Sequence, residues 1–360
     1  MSVGTQPEPH SVTTGGFPTV PAPEQPGKAR KILMRLLLGV LALSLVLAGA
    51  AVAGAFYLQH KYDSNIDRFG DPFAGIPAAS RPAPAPGNAQ NILLLGSDSR
   101  VSAGDPSAWA VGAQRTDAIM VAHVPADRSG VQIVSIPRDS YVDIPGHGKN
   151  KINAAFSFGG PTLMVQTVEQ LTKVRIDHVV MVDFTGFTRI TDALGGVTIN
   201  VAEATKDERS SFEAGPQRMN GEQALNYVRQ RHNLPGGDFD RVKRHQNWIR
   251  AVARETLDRG TLTNPLQLNR VLDATTKTIA TDDGFSLGQM RSLALSSRNV
   301  RAADMSFLTA PVKGTGRAGA ASIVLLDLPA GAELWKAMAA DKMTSWLAEH
   351  EDSLLPSAVR

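Results

Sequence analysis

The chain has 360 residues, 42% of them hydrophobic, and no cysteine. This length suits one large domain with appendages or two ordinary domains, and it is enough to bury a sizeable core. The lack of cysteine excludes disulfides, cysteine-ligated zinc, iron–sulfur clusters and a thiol nucleophile. The formal net charge of +3, from 37 basic and 34 acidic residues, is too small to indicate a nucleic-acid-binding protein.

The start of the chain predicts a tail followed by a membrane anchor. Residues 1–31 are rich in proline and poor in residues that pack, which is typical of a disordered cytoplasmic tail. Residues 32–58 contain the uncharged run Leu36–Leu58, which as a helix would span roughly 34 Å, enough for a bilayer core. Basic residues precede this run, so the positive-inside rule predicts a single-pass protein of the cell membrane with a cytoplasmic N-terminus. A cleavable signal peptide is the alternative, which the length of the run disfavours.

The rest of the chain predicts a stalk and one extracytoplasmic domain. Residues 59–90 are rich in proline and alanine, which is typical of a stiff spacer. From residue 91 onward, short runs rich in Val, Ile and Leu alternate with amphipathic helical patterns. The runs that predict strands are Asn91–Leu95, Ala118–Val124, Val131–Ile136, His178–Phe184, Val197–Val201, Met305–Pro311 and Ser322–Leu328.

Helical patterns lie between these strands. They cover Pro161–Val174, two segments that begin at Asn220 and Asp240, and a last segment near Glu333–Glu349. Alternating strands and helices predict an α/β, three-layer fold with a central mixed β-sheet flanked by helices. We expect one domain over residues 91–350, with residues 263–350 completing the part that carries the motifs, residues 91–262.

Two aspartates flank neighbouring strands. Asp98 follows the strand Asn91–Leu95, and Asp117 precedes the strand Ala118–Val124. Loops at strand ends are where α/β folds place ligand sites, and two converging carboxylates are enough for a magnesium ion that completes its shell with phosphate oxygens and water. Each aspartate alone is equally consistent with a turn or a helix cap.

Basic residues are concentrated at two further places. Arg138 and Asp139 follow the strand Val131–Ile136, where Arg138 suits a phosphate and the pair also suits a surface salt bridge. Lys149, Lys151 and Asn153 come next and either extend this anion site or are solvated. The densest cluster comprises Arg229, Arg231, Arg241, Lys243, Arg244 and Arg250. Arginine pairs on either side of a Gly-Gly loop favour a pyrophosphate ligand over an ordinary basic surface.

Several other chemistries lack their motifs. The sequence has no Walker-type phosphate loop and no Gly-x-Ser-x-Gly elbow, so we expect neither ATP nor a serine hydrolase mechanism. Histidines with metal-ligand spacing are missing too, and His123, His178 and His245 favour packing or capping roles. Aromatic partners for RNA bases are absent from the basic cluster apart from Trp248.

Six segments together resemble the LytR-CpsA-Psr family of cell-wall ligases in order and spacing. They are Asn91–Arg100, Gln114–Val124, Val134–Pro145, Lys151–Gly160, Met219–His232 and Asp240–Trp248. The resemblance implies a transferase that acts outside the membrane. Such enzymes move an anionic glycopolymer from a polyprenyl diphosphate carrier to peptidoglycan, with a phosphodiester to a muramic-acid hydroxyl.

The resemblance also assigns roles to residues. Asp98 and Asp117 would hold Mg²⁺ or Mn²⁺, and Asp117, or else Asp98, would take the proton from the acceptor hydroxyl. The residues expected at the pyrophosphate are Arg115, Arg138, Arg229, Arg231, Arg241, Arg244 and Gln246. The candidates for an apolar cleft that holds the lipid are Ile152, Phe156 and Phe158, for which a place in the core is an equal alternative.

Two other functions remain open at this point. Water in place of the acceptor would make the protein a pyrophosphatase, and loss of chemistry would leave a wall-binding or regulatory protein. The sequence does not identify the polymer, for which teichoic acid, a teichuronic-type chain, capsule, arabinogalactan and a glycosylated protein acceptor all fit. Its Ala- and Arg-rich composition favours a Gram-positive actinobacterial cell.

Overall fold

The computed structural model describes residues 1, 39–40, 43–44, 46–47, 53–54, 56–97, 116–206, 210–230, 234–257, 261 and 264–359. The chain forms two units, Met1–Tyr57 and Leu58–Arg360. The predicted tail, apart from Met1, and most of the predicted membrane span lie outside the described residues, and those described within the span are helical. Among the residues that can be assessed, no helix combines the length and apolarity needed to cross a bilayer.

The second unit is an α/β structure. The strands are β1 (Asp67–Arg68), β2 (Gln90–Ser97), β3 (Thr116–Val124), β4 (Val131–Ser135), β5 (Tyr141–Ile144), β6 (Gly148–Lys151), β7 (His178–Asp183), β8 (Val197–Val201), β9 (Thr205–Lys206), β10 (Ser211–Phe212), β11 (Gly215–Met219), β12 (Ile279–Thr281), β13 (Met305–Thr309), β14 (Val312–Ala318) and β15 (Ala321–Leu326). The helices are α1 (Asn153–Thr172), α2 (Phe184–Ala193), α3 (Gly221–Arg229), α4 (Asp238–Leu257), α5 (Pro265–Thr276), α6 (Leu287–Ser296), α7 (Leu328–Ala339) and α8 (Met343–Glu349).

A mixed sheet forms the centre of this unit, with the strand order β1-β12-β7-β2-β3-β4-β13. The pairs β1–β12, β2–β7 and β4–β13 are parallel, and the other three are antiparallel. The remaining strands form the two-stranded pairs β5–β6, β8–β11, β9–β10 and β14–β15.

Both faces of the central sheet are covered by helices. Successive side chains on a strand point to opposite faces, so Leu93 and Leu95 pack with α1, α7 and α8, whereas Ile92 and Met120 lie on the face towards α4 and α6. A third apolar cluster joins α2, α3 and α4 to the β8–β11 pair. The predicted three-layer arrangement around a mixed sheet is therefore confirmed.

The segment before residue 91 departs from the prediction. Instead of a free stalk, residues 66–89 pack against the domain, where Phe69 and Ile76 are buried in the main core and β1 pairs with β12. Arg81 makes a two-pronged ion pair with Glu169 of α1, at 2.7 Å between Nη2 and Oε1. Proline content indicates stiffness, but these few apolar and charged side chains decide where the segment lies.

Several helices differ from the predicted ones in detail. Helix α1 begins earlier than expected, with a break in helical geometry at Gly159 and Gly160, so Pro161 still starts a helical turn. The expected last helix is two helices, because Asp341 adopts a left-handed φ of 57° between them. The domain also extends past residue 350, where Val359 is buried beside β8.

We expect Arg81→Ala to lower the free energy of unfolding by about 3–5 kcal/mol, because it leaves the Glu169 carboxylate buried without its guanidinium partner. Equilibrium urea unfolding measures this change. The matched control is Lys277→Ala, which breaks an exposed pair with Asp273 and should cost less than about 0.5 kcal/mol. Equal losses in the two variants would contradict the structural role of the Arg81–Glu169 pair.

Candidate active site

Four charged side chains meet at one end of the central sheet. Asp117 lies at the start of β3, Arg138 follows the end of β4, and the first turn of α4 supplies Asp238 and Arg241. Arg138 Nη1 donates to Asp117 Oδ1, and Arg241 Nη2 lies 3.6 Å from the same oxygen. Asp238 Oδ1 lies 2.9 Å from Arg241 Nη1 and 3.4 Å from Arg138 Nε. We call these four residues the charged cluster.

The charged cluster is shielded from water, and its charges balance. Burial alone would lower the pKa of Arg138, but the carboxylates of Asp117, Asp238 and Asp139 outweigh this effect and raise it. The Nε of Arg138 is buried and makes no hydrogen bond within the described part of the chain. A buried donor without an acceptor is unfavourable, so an oxygen-rich anion at this position would satisfy it.

An apolar pocket of about 210 Å³ opens beside the charged cluster. It lies between β2, β3 and β7 and the helices α2, α3 and α4. Its lining residues include Leu94, Met120, Val180, Phe184, Trp248 and Ile249, together with Asp117 and His245. A pocket with an apolar wall and an acidic residue at its edge suits a ligand with a hydrocarbon part next to a charged group.

Arg229, at the end of α3, contacts a residue of the pocket wall. The predicted capping box is confirmed, because Asn220 accepts from the Gln223 backbone N–H and the Gln223 side chain accepts from the Asn220 N–H. The helix that begins there ends at Arg229, whose guanidinium lies 4.6 Å from the ring centroid of Phe184. The exposed Arg229 therefore stands over a residue that lines the pocket.

His245 lies one turn along α4 from Arg241 and lines the same pocket. Burial lowers its pKa to about 4, and the positive charges of Arg241 and Arg138 act in the same direction against the opposing effect of Asp117. The imidazole is therefore neutral at neutral pH. The sequence interpretation assigned His245 to packing or capping, and the structure adds that it faces the pocket beside the charged cluster.

Two predicted pyrophosphate ligands lie in the interior instead. Arg244 is fully buried, donates to the Tyr227 carbonyl at 2.8 Å and to Gln230 Oε1 at 2.7 Å, and stacks 4.3 Å from the Tyr227 ring. Gln246 is also fully buried and donates to Ser135 Oγ at 2.8 Å and to the Leu308 carbonyl. These side chains connect α4 to neighbouring elements. Because both are buried, the structure does not place them at an open anion site, where the sequence had predicted them.

For two of the three candidate lipid residues the structure favours the core alternative. Ile152 is 0% exposed and Phe156 is 3% exposed, and both belong to the main core, so they do not line an open cleft. Phe158 is half-buried and lines a different cleft, which also contains Arg138. Sequence reasoning missed the apolar pocket, because Leu94, Met120 and Val180 follow the same alternating pattern as core residues of a strand.

The other predicted site residues Asp98, Arg115 and Arg231 lie outside the described residues. Asp240 does not cap α4 but lies in its first turn, where its carboxylate accepts from the Gly236 N–H at 2.8 Å.

Within the charged cluster, Asp117 offers one carboxylate oxygen that suits magnesium. In the described part of the chain, both arginines contact Oδ1 of Asp117, which leaves Oδ2 for a ligand. The same part of the chain contains no group of three His, Asp or Glu residues that would hold a metal by themselves. Magnesium commonly takes one or two carboxylates and completes its shell with phosphate oxygens and water, so Asp117 fits a metal that is shared with a phosphate ligand.

The chain is similar to proteins of one known family. The family model of LytR_cpsA_psr matches residues 68–340. Cell wall biosynthesis protein LcpA of Corynebacterium glutamicum is 34% identical over 286 residues, which cover 67% of this chain and 54% of LcpA. The chain thus spans about half the length of that relative.

Two solved structures share the fold. A LytR-Csp2A-Psr enzyme from Actinomyces oris superposes with a TM-score of 0.59 at 22% identity, over 76% of this chain and 96% of that one. TagT of Bacillus subtilis bound to LI-WTA has a TM-score of 0.55 at 23% identity, over 70% of this chain and 90% of that one.

We expect the His245 ring signals in NMR spectra to titrate with a midpoint at about pH 4, in line with the lowered pKa of this residue. Unfolded His245 binds a proton near about 6.5, so between these two values the unfolded state holds more protons than the folded state. The free energy of unfolding therefore falls as the pH decreases through this range.

His245→Gln removes that contribution, so the variant should lose less stability than the wild type between about pH 6.5 and pH 4. Urea unfolding at several pH values measures the difference. His123, whose pKa is also lowered by burial, remains in both proteins as an internal reference. A His245 midpoint near its ordinary value would contradict the buried, cationic surroundings described above.

Proposed function

Because the chain belongs to the LytR-CpsA-Psr family, we propose that it is a membrane-anchored, extracytoplasmic phosphotransferase. It moves an anionic glycopolymer from a polyprenyl diphosphate carrier to a muramic-acid hydroxyl of peptidoglycan. The observation that carries this proposal is the contact between an apolar pocket and the charged cluster, which meet at Asp117. A polyprenyl diphosphate has the matching two parts, a hydrocarbon chain and a polyanionic head.

The relatives support the same function. LcpA is named a cell wall biosynthesis protein, and TagT has been solved with bound LI-WTA. The match covers only about half of LcpA, so the name of LcpA alone does not carry the activity over to this chain. The proposal therefore depends mainly on the apolar pocket and the charged cluster.

The arginines would act on the diphosphate. Arg138 and Arg241 already pair with carboxylates, so an incoming diphosphate replaces those partners with phosphate oxygens and loses little in desolvation. Arg229 stands over Phe184 of the pocket wall, and we expect it to act on the diphosphate together with Arg115 and Arg231. Magnesium held by Asp117 and Asp98 would, when bound, offset further negative charge on the phosphate oxygens.

The transfer itself is a displacement at the sugar-side phosphorus. The acceptor oxygen forms a new P–O bond as the bond to the bridging oxygen breaks, and polyprenyl phosphate leaves with that electron pair. We assign the acceptor proton to the Asp117 carboxylate. The diphosphate is itself the activated donor, so the reaction needs no ATP.

We expect Asp117→Asn to reduce transfer by on the order of 10²- to 10³-fold, because it removes charge from the metal site and a proton acceptor while keeping the side-chain shape. The assay combines the purified protein, magnesium, a lipid diphosphate-linked glycan and peptidoglycan oligomers. The control is Asp143→Asn, which changes an exposed carboxylate on β5 outside the pocket and the cluster.

The same assay separates the alternatives. Full transfer activity in the double variant Asp117→Ala, Arg229→Ala would contradict the proposed site. Free glycan phosphate without an adduct would favour a pyrophosphatase, and absence of both products with competent substrates would favour a wall-binding or regulatory protein.

We expect Val180→Phe to raise the KM for a long-chain polyprenyl donor at least about tenfold, because the larger side chain fills a pocket of about 210 Å³. The KM for a water-soluble donor with a very short lipid should change much less. Val312→Phe, at an exposed valine outside the pocket, is the matched control. An equal effect on both donors would show that the pocket does not hold the lipid.

A further inference from the structure

A second cleft, of about 890 Å³, lies on the other side of the charged cluster. Its walls are the loop after β4, the β5–β6 hairpin, the first turns of α1 and the β14–β15 hairpin. It shares no lining residue with the apolar pocket. The two sites are nevertheless connected, because Arg138 lines the cleft, Asp117 lines the pocket, and Arg138 donates a hydrogen bond to Asp117.

The walls of the cleft are joined by backbone hydrogen bonds. The Asn153 N–H at the start of α1 donates to the Arg138 carbonyl at 3.2 Å, and the Val324 N–H of β15 donates to the Asp139 carbonyl at 2.8 Å. The Ile152 N–H donates to the Ser140 carbonyl at 2.8 Å. The cleft is thus formed before any ligand binds, which lowers the entropic cost of binding.

The charge of the cleft is positive. Lys149, Lys151 and Arg138 line it, and Asp139 is the one carboxylate among its lining residues. Asp139 is paired with Lys151 at 3.0 Å. Lys149 is exposed and makes no ion pair within the described chain. Lys149 is therefore the cation of the cleft that is available to a negative group on a ligand.

The cleft also offers flat apolar surfaces. Tyr141 and Phe158 line it and are half-buried, and the exposed His147 ring stacks on Phe158 with a centroid distance of 4.7 Å and an interplanar angle of 18°. Aromatic faces pack against the C–H faces of sugar rings, while the side-chain amides of Asn150 and Asn153 suit hydroxyl and acetamido groups. Aromatic, amide and cationic groups together match a glycan that carries carboxylates.

The position of the cleft decides which glycan binds there. In the transfer described above, polyprenyl phosphate leaves on the side of the apolar pocket, and in-line displacement brings the attacking oxygen from the opposite side of the phosphorus. The cleft borders the Arg138 end of the Asp117–Arg138 contact and the pocket borders its Asp117 end, so we assign the arriving oxygen to the cleft. We propose that it binds the acceptor, a peptidoglycan glycan strand with carboxylate-bearing peptide stems. This inference rests on the proposed function for its direction of attack.

The test combines binding and kinetics in the full-length protein. Soluble, uncrosslinked peptidoglycan oligomers are titrated calorimetrically without donor, and transfer is assayed with acceptor and donor varied in turn. Release of polyprenyl phosphate without acceptor serves as a third readout. Lys149→Glu reverses a charge in the cleft, Phe158→Ala removes an aromatic face, and Lys313→Glu makes the same charge change on β14 outside the cleft.

We expect Lys149→Glu and Phe158→Ala each to raise the acceptor Kd and the acceptor KM roughly tenfold, with the donor KM and the acceptor-independent release unchanged. Lys313→Glu should behave as the wild type. A raised donor KM with unchanged acceptor binding would place the donor glycan in the cleft and overturn the proposal. Unchanged acceptor binding in both cleft variants would overturn it as well.

The binding arm separates this proposal from the proposed function. Wild-type protein that binds the oligomers in a Lys149-dependent way but cleaves no donor would support the cleft and contradict the transferase. Normal transfer by the wild type, together with an acceptor Kd that neither Lys149→Glu nor Phe158→Ala changes, would support the transferase and contradict the cleft as the acceptor site.

Discussion

The charge balance at Asp117 is the constraint on which the site depends. One carboxylate oxygen is shared by two guanidinium groups that come from different parts of the fold, the loop after β4 and the first turn of α4. Buried charges without partners are costly, so these elements must meet at the end of β3. The shared contact holds both arginines in place, and Asp238 supplies the second carboxylate that balances their charge.

The sheet separates what lies on the two sides of that contact. Because side chains alternate along β2 and β3, one face supplies the apolar pocket and the other packs on α1, whose first turns border the cationic cleft. In the proposed reaction the lipid of the donor and the acceptor glycan would thereby lie in different surroundings, although both take part in a displacement at a single phosphorus atom. The charged cluster borders both cavities, with Asp117 at the apolar pocket and Arg138 at the cleft.

Much of the fold could be predicted, because buried strands and amphipathic helices have distinct periodicities. Within the site, the sequence could place only those residues that lie next to the end of a strand. Asp117 and Arg138 flank strands, and strand ends meet at one edge. The burial of Arg244 could not be predicted, because helical spacing gives its angle on α4 but not the neighbour it meets, which is the Tyr227 ring. The proline content of residues 59–90 predicted a stiff spacer and gave no sign that Phe69 is buried, because that burial depends on a distant part of the chain.

The neutral His245 shows how the site combines opposite requirements. Its imidazole borders both the hydrocarbon pocket and the arginines, and a proton there would add a third positive charge in an apolar wall. Burial and the neighbouring guanidinium groups lower the pKa of His245, so its imidazole adds no positive charge to the apolar wall at neutral pH. The arginines that we propose as ligands of the diphosphate therefore also keep His245 neutral beside the pocket that we propose for its lipid. In this proposal a single cluster favours both parts of an amphiphilic donor.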